Sequence, residues 1–436
     1  MFSFLKKIQI DTLIFRLPIY IRPPLFIIIH FYRFFFIQRY RKFNSLFKVT
    51  KFFQFKFAGF ISPIFIFFYP LYYYLKSKNF IFFYSSISSA PGHFIPELDW
   101  LLRKKYLGEF TKKKIIIICP KSEVAIGMQN AFSDLVHRFI INDYLFRFIL
   151  PFLIFYRNLS IDCNISNINN SFYFTKKPSI ELASIRQIEY YKIKNKTKNY
   201  FPLKKNLQFS EELKNFLGKK IEKYALLQIK TRSINATPEA INPRTYIKSI
   251  KYLKKRGFAV IFAGRETMPK IFDLLGVINY SKWEFNNFYN DICLVNYSKF
   301  NLTSGSGFNN LADTLNISIV VANSWHIGFS LYNKKCIFVP SLLINIKKRR
   351  YCNFLEQINL FQNQRETLLN KLLYKARPCS SNEIFYAVKE CFDLNKNFKI
   401  MNIFQNRFKN LRINVPGFYS ESRISKSFIK KFNKLL

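Results

Sequence analysis

Acidic residues are scarce in this chain. Its 436 residues hold 25 Asp and Glu against 69 Lys and Arg, a formal net charge of +44, and a surplus of that size implies an anionic partner: a membrane surface, a phosphorylated ligand or nucleic acid. The basic residues run through the whole chain without gathering on one element, which weighs against a nucleic-acid interface. The seven cysteines (119, 163, 293, 336, 352, 379 and 391) are odd in number and form no CxxC pair. That excludes a disulfide framework and points to buried, reduced thiols of a cytosolic protein. The four histidines (30, 93, 137 and 326) lie far apart without ligand spacing, and no DxD pair occurs, so metal chemistry finds no support. A GxSxG elbow, a Walker lysine, a GxGxxG fingerprint and an internal repeat are all missing. What is abundant is apolar: 49% of residues are hydrophobic, enough to build two or three folded domains and too much for a disordered chain.

With only 12 glycines in the chain, the stretch KFNLTSGSGFNNLADTL (299–315) stands out. It reads as a strand (300–303), a loop of Ser304, Gly305, Ser306 and Gly307, and a helix from Phe308 with Phe308, Leu311, Ala312 and Leu315 on one face. Small residues let the backbone approach a ligand, and free N–H groups at a helix start favour phosphate. Ser304 and Ser306 are placed to donate hydroxyls or to cap the helix. An ordinary strand-to-helix turn is the alternative.

Residues 1–56 carry eleven Lys/Arg and one acid, Asp11, with apolar runs rich in Phe and Ile; such a segment binds an anionic leaflet. Residues 57–75 (FAGFISPIFIFFYPLYYYL) hold no charge, long enough to span a bilayer, yet Pro63 and Pro70 argue equally for a kinked, interfacial or core segment. Residues 1–78 therefore read as a basic, membrane-associated segment. Strand and helix then alternate: strands at 80–84, 114–119 and 138–141, helices at 95–106 and 122–135, and the loop APGHFIPE (90–97) after the first strand, where doubly wound sheets place ligand-contacting groups. Residues 157–206 read as a loose connection, ending an N-terminal domain (79–203). The same grammar returns over 204–392, with strands at 225–230, 258–262, 291–295, 300–303 and 317–322, a helix at 243–255 capped by Asn242 with Pro243 at its first position, and a helix at 382–391. Residues 393–436 read as a basic tail.

Two Rossmann-like α/β domains with parallel sheets, one with a GH loop and one with a Ser/Gly loop, look like a GT-B glycosyltransferase. The second half resembles a family of bacterial glycosyltransferases of surface-polysaccharide gene clusters, distantly similar to fucosyltransferases and heptosyltransferases. The residues that carry this are PGHFIPELD (91–99), TRSINATPEAINPRTYIKSIKYLKKRGFAVIFAG (231–264), YNDICLVNYSKFNLTSGSGFNNLADTL (289–315), VVANSW (320–325) and SSNEIFYAVKE (380–390). The chain departs from the family at Asn316 and Ser318, where Gly and Pro are usual.

The resemblance implies that Arg232 and the loop Ser304, Gly305, Ser306 and Gly307, with Asn309 in the following turn, hold the donor diphosphate, and that the region of His93 meets the acceptor. A nucleotide sugar is then a co-substrate, no cofactor or metal is required, and the acceptor is a surface glycan or glycolipid. Arg232 at a strand end suits a leaving diphosphate or, equally, a structural ion pair; Arg244 and Arg265 are weaker candidates. For an inverting transfer the base must reach the acceptor hydroxyl, and His93, Glu97 and Asp99 are the groups at hand, His93 titrating nearest neutrality. A retaining outcome stays open. The expected place of action is the cytoplasmic face of an anionic membrane, with no nucleic acid; the alternative is a basic, non-catalytic α/β protein that docks on membrane or nucleic acid.

Overall fold

The computed structural model describes residues 62–85, 88–161, 179–205, 207–218, 222–230, 241–305, 307–324, 327–328, 330–363, 373–394 and 401–436. The basic segment before Ser62, Arg232 and Ser306 lie outside the described residues. The chain divides into two compact units. The first holds the described residues up to Ser88 together with Gly108–Ser122 and Ser133–Arg186; the second holds Ser89–Leu107, Glu123–Phe132 and Gln187–Leu436. The expected boundary near Leu203 therefore gives way to an interleaved one, in which the PGH stretch belongs to the second unit.

The first unit is built on a parallel sheet of β1 (Phe80–Tyr84), β2 (Lys114–Cys119), β3 (Arg138–Ile141) and β4 (Ser160–Ile161), ordered β3-β2-β1-β4. Its strands are near-continuous apolar runs, FIFFY and KIIIIC, as a sheet covered on both faces requires. The uncharged stretch read from the sequence as a span or interfacial segment is split by its prolines. Ser62–Phe68 winds as a 3-10 helix and Tyr69–Ser77 as an α-helix with Pro70 in its first turn. Phe65 is buried edge-on against Phe152 of the Asp143–Phe155 helix, and Tyr72 stacks on Tyr156 at 4.4 Å. The outward side stays apolar: Phe67 is 83% exposed, Tyr144 82% and Phe148 63%. Among the described residues no helix is long and apolar enough to cross a membrane.

The second unit centres on a seven-stranded parallel sheet: β5 (Tyr224–Gln228), β6 (Ala259–Phe262), β7 (Ile278–Asn279), β8 (Phe300–Ser304), β9 (Ile319–Ser324), β10 (Cys336–Pro340) and β14 (Arg423–Ile424), ordered β14-β10-β9-β8-β5-β6-β7. A small antiparallel sheet of β11 (Leu342–Asn345), β12 (Arg350–Tyr351) and β13 (Tyr374–Arg377) follows β10. The doubly wound α/β architecture read from the sequence is thus what the chain adopts. Individual elements differ. Residues 291–295, read as a strand, sit inside the Phe288–Tyr297 helix, which Asn287 caps through Asn290 N; Phe288, Ile292 and Val295 have helical spacing that the short apolar run masked. Residues read as a loose connection include the Ser179–Lys196 helix. The stretch read as a tail supplies β14 and the Ile403–Asn410 helix, which starts with an Asn402/Gln405 capping box. The six described cysteines are buried and unpaired, and burial pushes the Cys119 thiol up to about 12.

Gly127 sets how closely the Glu123–Phe132 helix lies on the Phe288–Tyr297 helix: a Cβ there would stand 2.8 Å from Tyr289 N and 2.9 Å from the Phe288 carbonyl carbon. Gly127→Val is expected to lower stability by about 1–3 kcal/mol through forced separation of the two helices. A urea titration checks this, the midpoint falling while the slope is kept.

Candidate functional site

From β5 the order of the large sheet runs to β6 and β7 on one side and to β8, β9 and β10 on the other. The order therefore reverses between β5 and β8, and the carboxyl ends of strands flanking such a reversal are where doubly wound sheets bind ligands, because the two following connections diverge to opposite faces. Here those ends are Ile229–Lys230 and the Ser/Gly loop. The loop is tied to the sheet by its first residue: Lys230 N donates to Ser304 Oγ at 2.9 Å, and Asn309 Nδ2 donates to the Ser304 carbonyl at 3.1 Å. Ser304 and Asn309, both buried, thus brace the loop, while Gly305 and Gly307 are half-exposed at its surface. No side chain caps the Phe308–Thr314 helix, whose N-cap is Gly307, and at seven residues the helix has only a short dipole. The anion-binding reading therefore rests on the place of the loop in the sheet and on its exposed glycine backbone, not on that helix end.

The PGH turn lies against this loop. The Pro91–Tyr106 helix begins with Ala90 as N-cap and Pro91 in its first turn, and its second residue meets the loop backbone to backbone. A Cβ built on Gly92 would lie 2.8 Å from Gly307 Cα, and one built on Gly307 would lie 2.6 Å from Gly92 N. Neither position has room for any other residue. Inside the helix Pro96 has no N–H to give to the carbonyl of Gly92, four residues back. Asn310 supplies the missing donor, its Nδ2 reaching Gly92 O at 3.0 Å. A proline that weakens one helix is thereby turned into a joint with the next.

The two stretches singled out in the sequence, 218 positions apart at Asn310 and Gly92, thus form one site in the second unit. His93 is half-buried in the first turn of the Pro91 helix, and Glu97, one turn on and 1% exposed, shares its face. Asp99 is not available as a base. Its Oδ2 accepts from Arg103 Nε at 2.7 Å and from Tyr190 OH at 2.7 Å, so it serves a buried charge network. Arg265 also leaves the candidate list: it pairs with Glu123 and, at 3.2 Å, with Asp291. Burial pushes the Asp291 carboxyl up to about 6, and Arg265 limits that rise. Arg244 is exposed and contributes only its backbone N to the Asn242 cap. Sequence reasoning missed Asn310 and Asn323. The latter takes φ 62° at the end of β9, accepts from Cys379 N at 2.7 Å and donates to Tyr246 OH at 3.0 Å, anchoring the neighbouring loop. Pro96 was a legible signal for Asn310, since an interior helix proline always leaves a carbonyl to be satisfied. Among the described residues no group of three or more His, Cys, Asp or Glu is placed to hold a metal.

The joint between helix and loop is testable by a mutant cycle. Asn310→Ala leaves Gly92 O without its donor and is expected to destabilise by about 1–3 kcal/mol. Pro96→Ala restores a backbone N–H four residues along, so the double variant is expected to recover most of that loss, a coupling read from urea unfolding of the four proteins.

No family model and no characterised protein matches the chain in sequence. In structure it is similar to the iron-containing dodecameric glycosyltransferase TibC of enterotoxigenic Escherichia coli, at 11% identity and a TM-score of 0.36, the match covering 57% of this chain and only 59% of the length of TibC. It is also similar to a family 9 glycosyl transferase of Veillonella parvula (10% identity, TM-score 0.40, 72% of this chain and 97% of that one) and to the ADP-heptose LPS heptosyltransferase II of E. coli (12%, 0.36, 67% and 97%). Likenesses this remote carry no residue and no reaction from those proteins to this chain.

Proposed function

We propose that the chain is a glycosyltransferase of the GT-B kind that moves a sugar from a nucleotide-sugar donor to a glycan or glycolipid acceptor. The observation that carries this reading is the meeting of Gly92 and Gly307 at the strand-order reversal of the large sheet. It joins a glycine loop suited to a diphosphate with a turn that bears an imidazole and a carboxylate. In the proposed step an acceptor hydroxyl attacks the anomeric carbon, the bond to the donor diphosphate breaks, and the hydroxyl proton passes to His93, with Glu97 on the same face to orient it. The diphosphate leaves with its charge, held by loop N–H groups and, in this reading, by Arg232. The chemistry so drawn needs no metal.

Thermal unfolding against a panel of nucleotide sugars tests the donor site. One member is expected to raise the melting point, a ligand at a hundred times its dissociation constant adding about 2.7 kcal/mol, and Gly305→Asp is expected to abolish that rise. With the donor identified, His93→Ala and Arg232→Ala are each expected to lower turnover a hundredfold or more at an unchanged melting point. Full turnover in either variant removes that residue from the mechanism. A folded protein that responds to no nucleotide sugar defeats the reading.

The acceptor side of the proposal draws on the exposed apolar face of the first unit. Phe67, Tyr73, Tyr74, Tyr144 and Phe148 are aromatic and well exposed, and Lys76 and Lys78 follow on the same segment. Aromatic rings beside lysines suit the headgroup layer of an anionic bilayer, where a lipid-linked acceptor would be found. The full chain is expected to sediment with vesicles containing anionic lipid, less so at high salt, and the double variant Phe67→Asp/Phe148→Asp to stay in the supernatant. Equal sedimentation of the variant would exclude this face.

A further inference from the structure

The second unit holds a cavity of about 300 Å³ that the donor reading does not use. It lies at the amino-terminal edge of the large sheet, where Asn316 precedes β9 and Asn333 and Lys334 precede β10. Two helices run from the Ser/Gly site toward it. Asp313 is near the far end of the Phe308–Thr314 helix, and Arg103 is in the last turn of the Pro91 helix, ten residues or about 15 Å from His93.

Four cationic side chains line the cavity, Arg103, Lys194, Lys198 and Lys334, against two carboxylates, Asp313 and Glu421. Each acid is paired with one of those lysines. Asp313 Oδ2 accepts from Lys194 Nζ at 2.6 Å and its Oδ1 from Asn333 N at 2.6 Å; Glu421 pairs with Lys198. Behind the wall, Asp99 Oδ2 holds Arg103 and Tyr190 and lies 3.9 Å from Lys194 Nζ. Arg103 also donates through Nη1 to the carbonyl and hydroxyl of Thr197, each at 2.8 Å. These contacts fix two cations that are each 2% exposed. An ammonium with three donors and a guanidinium with five still have more to give than those partners take. Lys335 sharpens the imbalance: burial, and then Lys204 and Lys334, lower its proton affinity. Cations crowd this edge, and a cavity with more cations than carboxylates favours an added anion.

We propose that this cavity is a second ligand site, for a phosphate monoester of about sugar-phosphate size. Arg103 and Lys194 take the phosphate from the floor and Lys334 from the exposed rim. The side-chain amides of Asn199 and Asn333 and the rings of Phe201 and Tyr332 stand at the walls, where hydroxyls and a sugar face are accommodated. A bare phosphate would leave most of the volume empty. The proposal does not rest on the transferase reading, since it invokes neither donor nor acceptor.

The test is calorimetric titration of the full chain with glucose 6-phosphate, inorganic phosphate and unphosphorylated glucose at fixed ionic strength. Glucose 6-phosphate is expected to bind, glucose not to bind, and Lys334→Glu, a change at an exposed position, to weaken binding at least tenfold. Lys198→Ser serves as a second rim variant, because Lys194→Met removes a buried partner of Asp313 and is open to misfolding. Gly305→Asp, at the other end of the two helices, is expected to leave the affinity within a factor of two. Equal affinity for inorganic phosphate, still lost in Lys334→Glu, would support the site and name free phosphate as its ligand. No binding of either phosphate, binding indifferent to both rim variants, or binding abolished by Gly305→Asp would overturn the proposal.

Discussion

Backbone meets backbone where Gly92 passes Gly307, and most of what is distinctive in the second unit depends on that approach. With Cβ atoms excluded at both positions, the start of the Pro91 helix is held on the Ser/Gly loop at van der Waals distance. That contact sets where His93 and Glu97 stand relative to the end of β8. Asn310 adds direction to proximity, since it donates to the Gly92 carbonyl, for which Pro96 has no N–H. A local defect in one helix and a side chain on another thus become a single joint, and the site inherits its rigidity.

The Pro91 helix carries a different chemistry at each end. Its first three residues are half-exposed, with Gly92 against the glycine loop, whereas Asp99 and Arg103 lie in a buried network with Tyr190, Lys194 and Asp313. Burying four charges is tolerable because each carboxylate meets more than one donor, and removing one partner would strand the others in a medium of low dielectric. The network therefore holds the helix in register with the Ser179–Lys196 helix, and fixes the glycine end from the far side. Position along one helix separates a group open to substrate from one locked into structure.

Charge has a double role in a chain so short of acid. Several of the described acidic residues sit at joints: Glu383 with Arg377 and Lys431, Asp291 with Arg265, Asp313 with Lys194. What remains is a large uncompensated positive charge, which favours anionic surfaces and ligands at long range without choosing among them. Choice comes from shape: an apolar, aromatic face on the first unit, a glycine-lined strand end and a cation-lined cavity on the second.

The amino-acid sequence by itself determined the local elements: the apolar runs FIFFY and KIIIIC as buried strands, Pro243 as a helix start, and the Ser/Gly turn after β8. Each is written in side-chain period and backbone chemistry within a few residues, which is why each was legible. Residues 91–94, expected in a loop, instead open the Pro91–Tyr106 helix. Residues 291–295 read as a strand because the four apolar residues from Ile292 to Val295 fit either period, and the stretch after 400 read as a tail because a basic composition hides the pairing of β14 with β10. Only the tertiary structure decided that the strand order reverses between β5 and β8, that Gly92 lies on Gly307, and that Asp99 is consumed by Arg103 and Tyr190. Except for the Asp99–Arg103 pair, 4 positions apart, those facts join residues some 74 to 218 positions apart. Contacts at that range are chosen by packing and by the satisfaction of buried polar groups, and neither leaves a mark on the residues nearby in the chain.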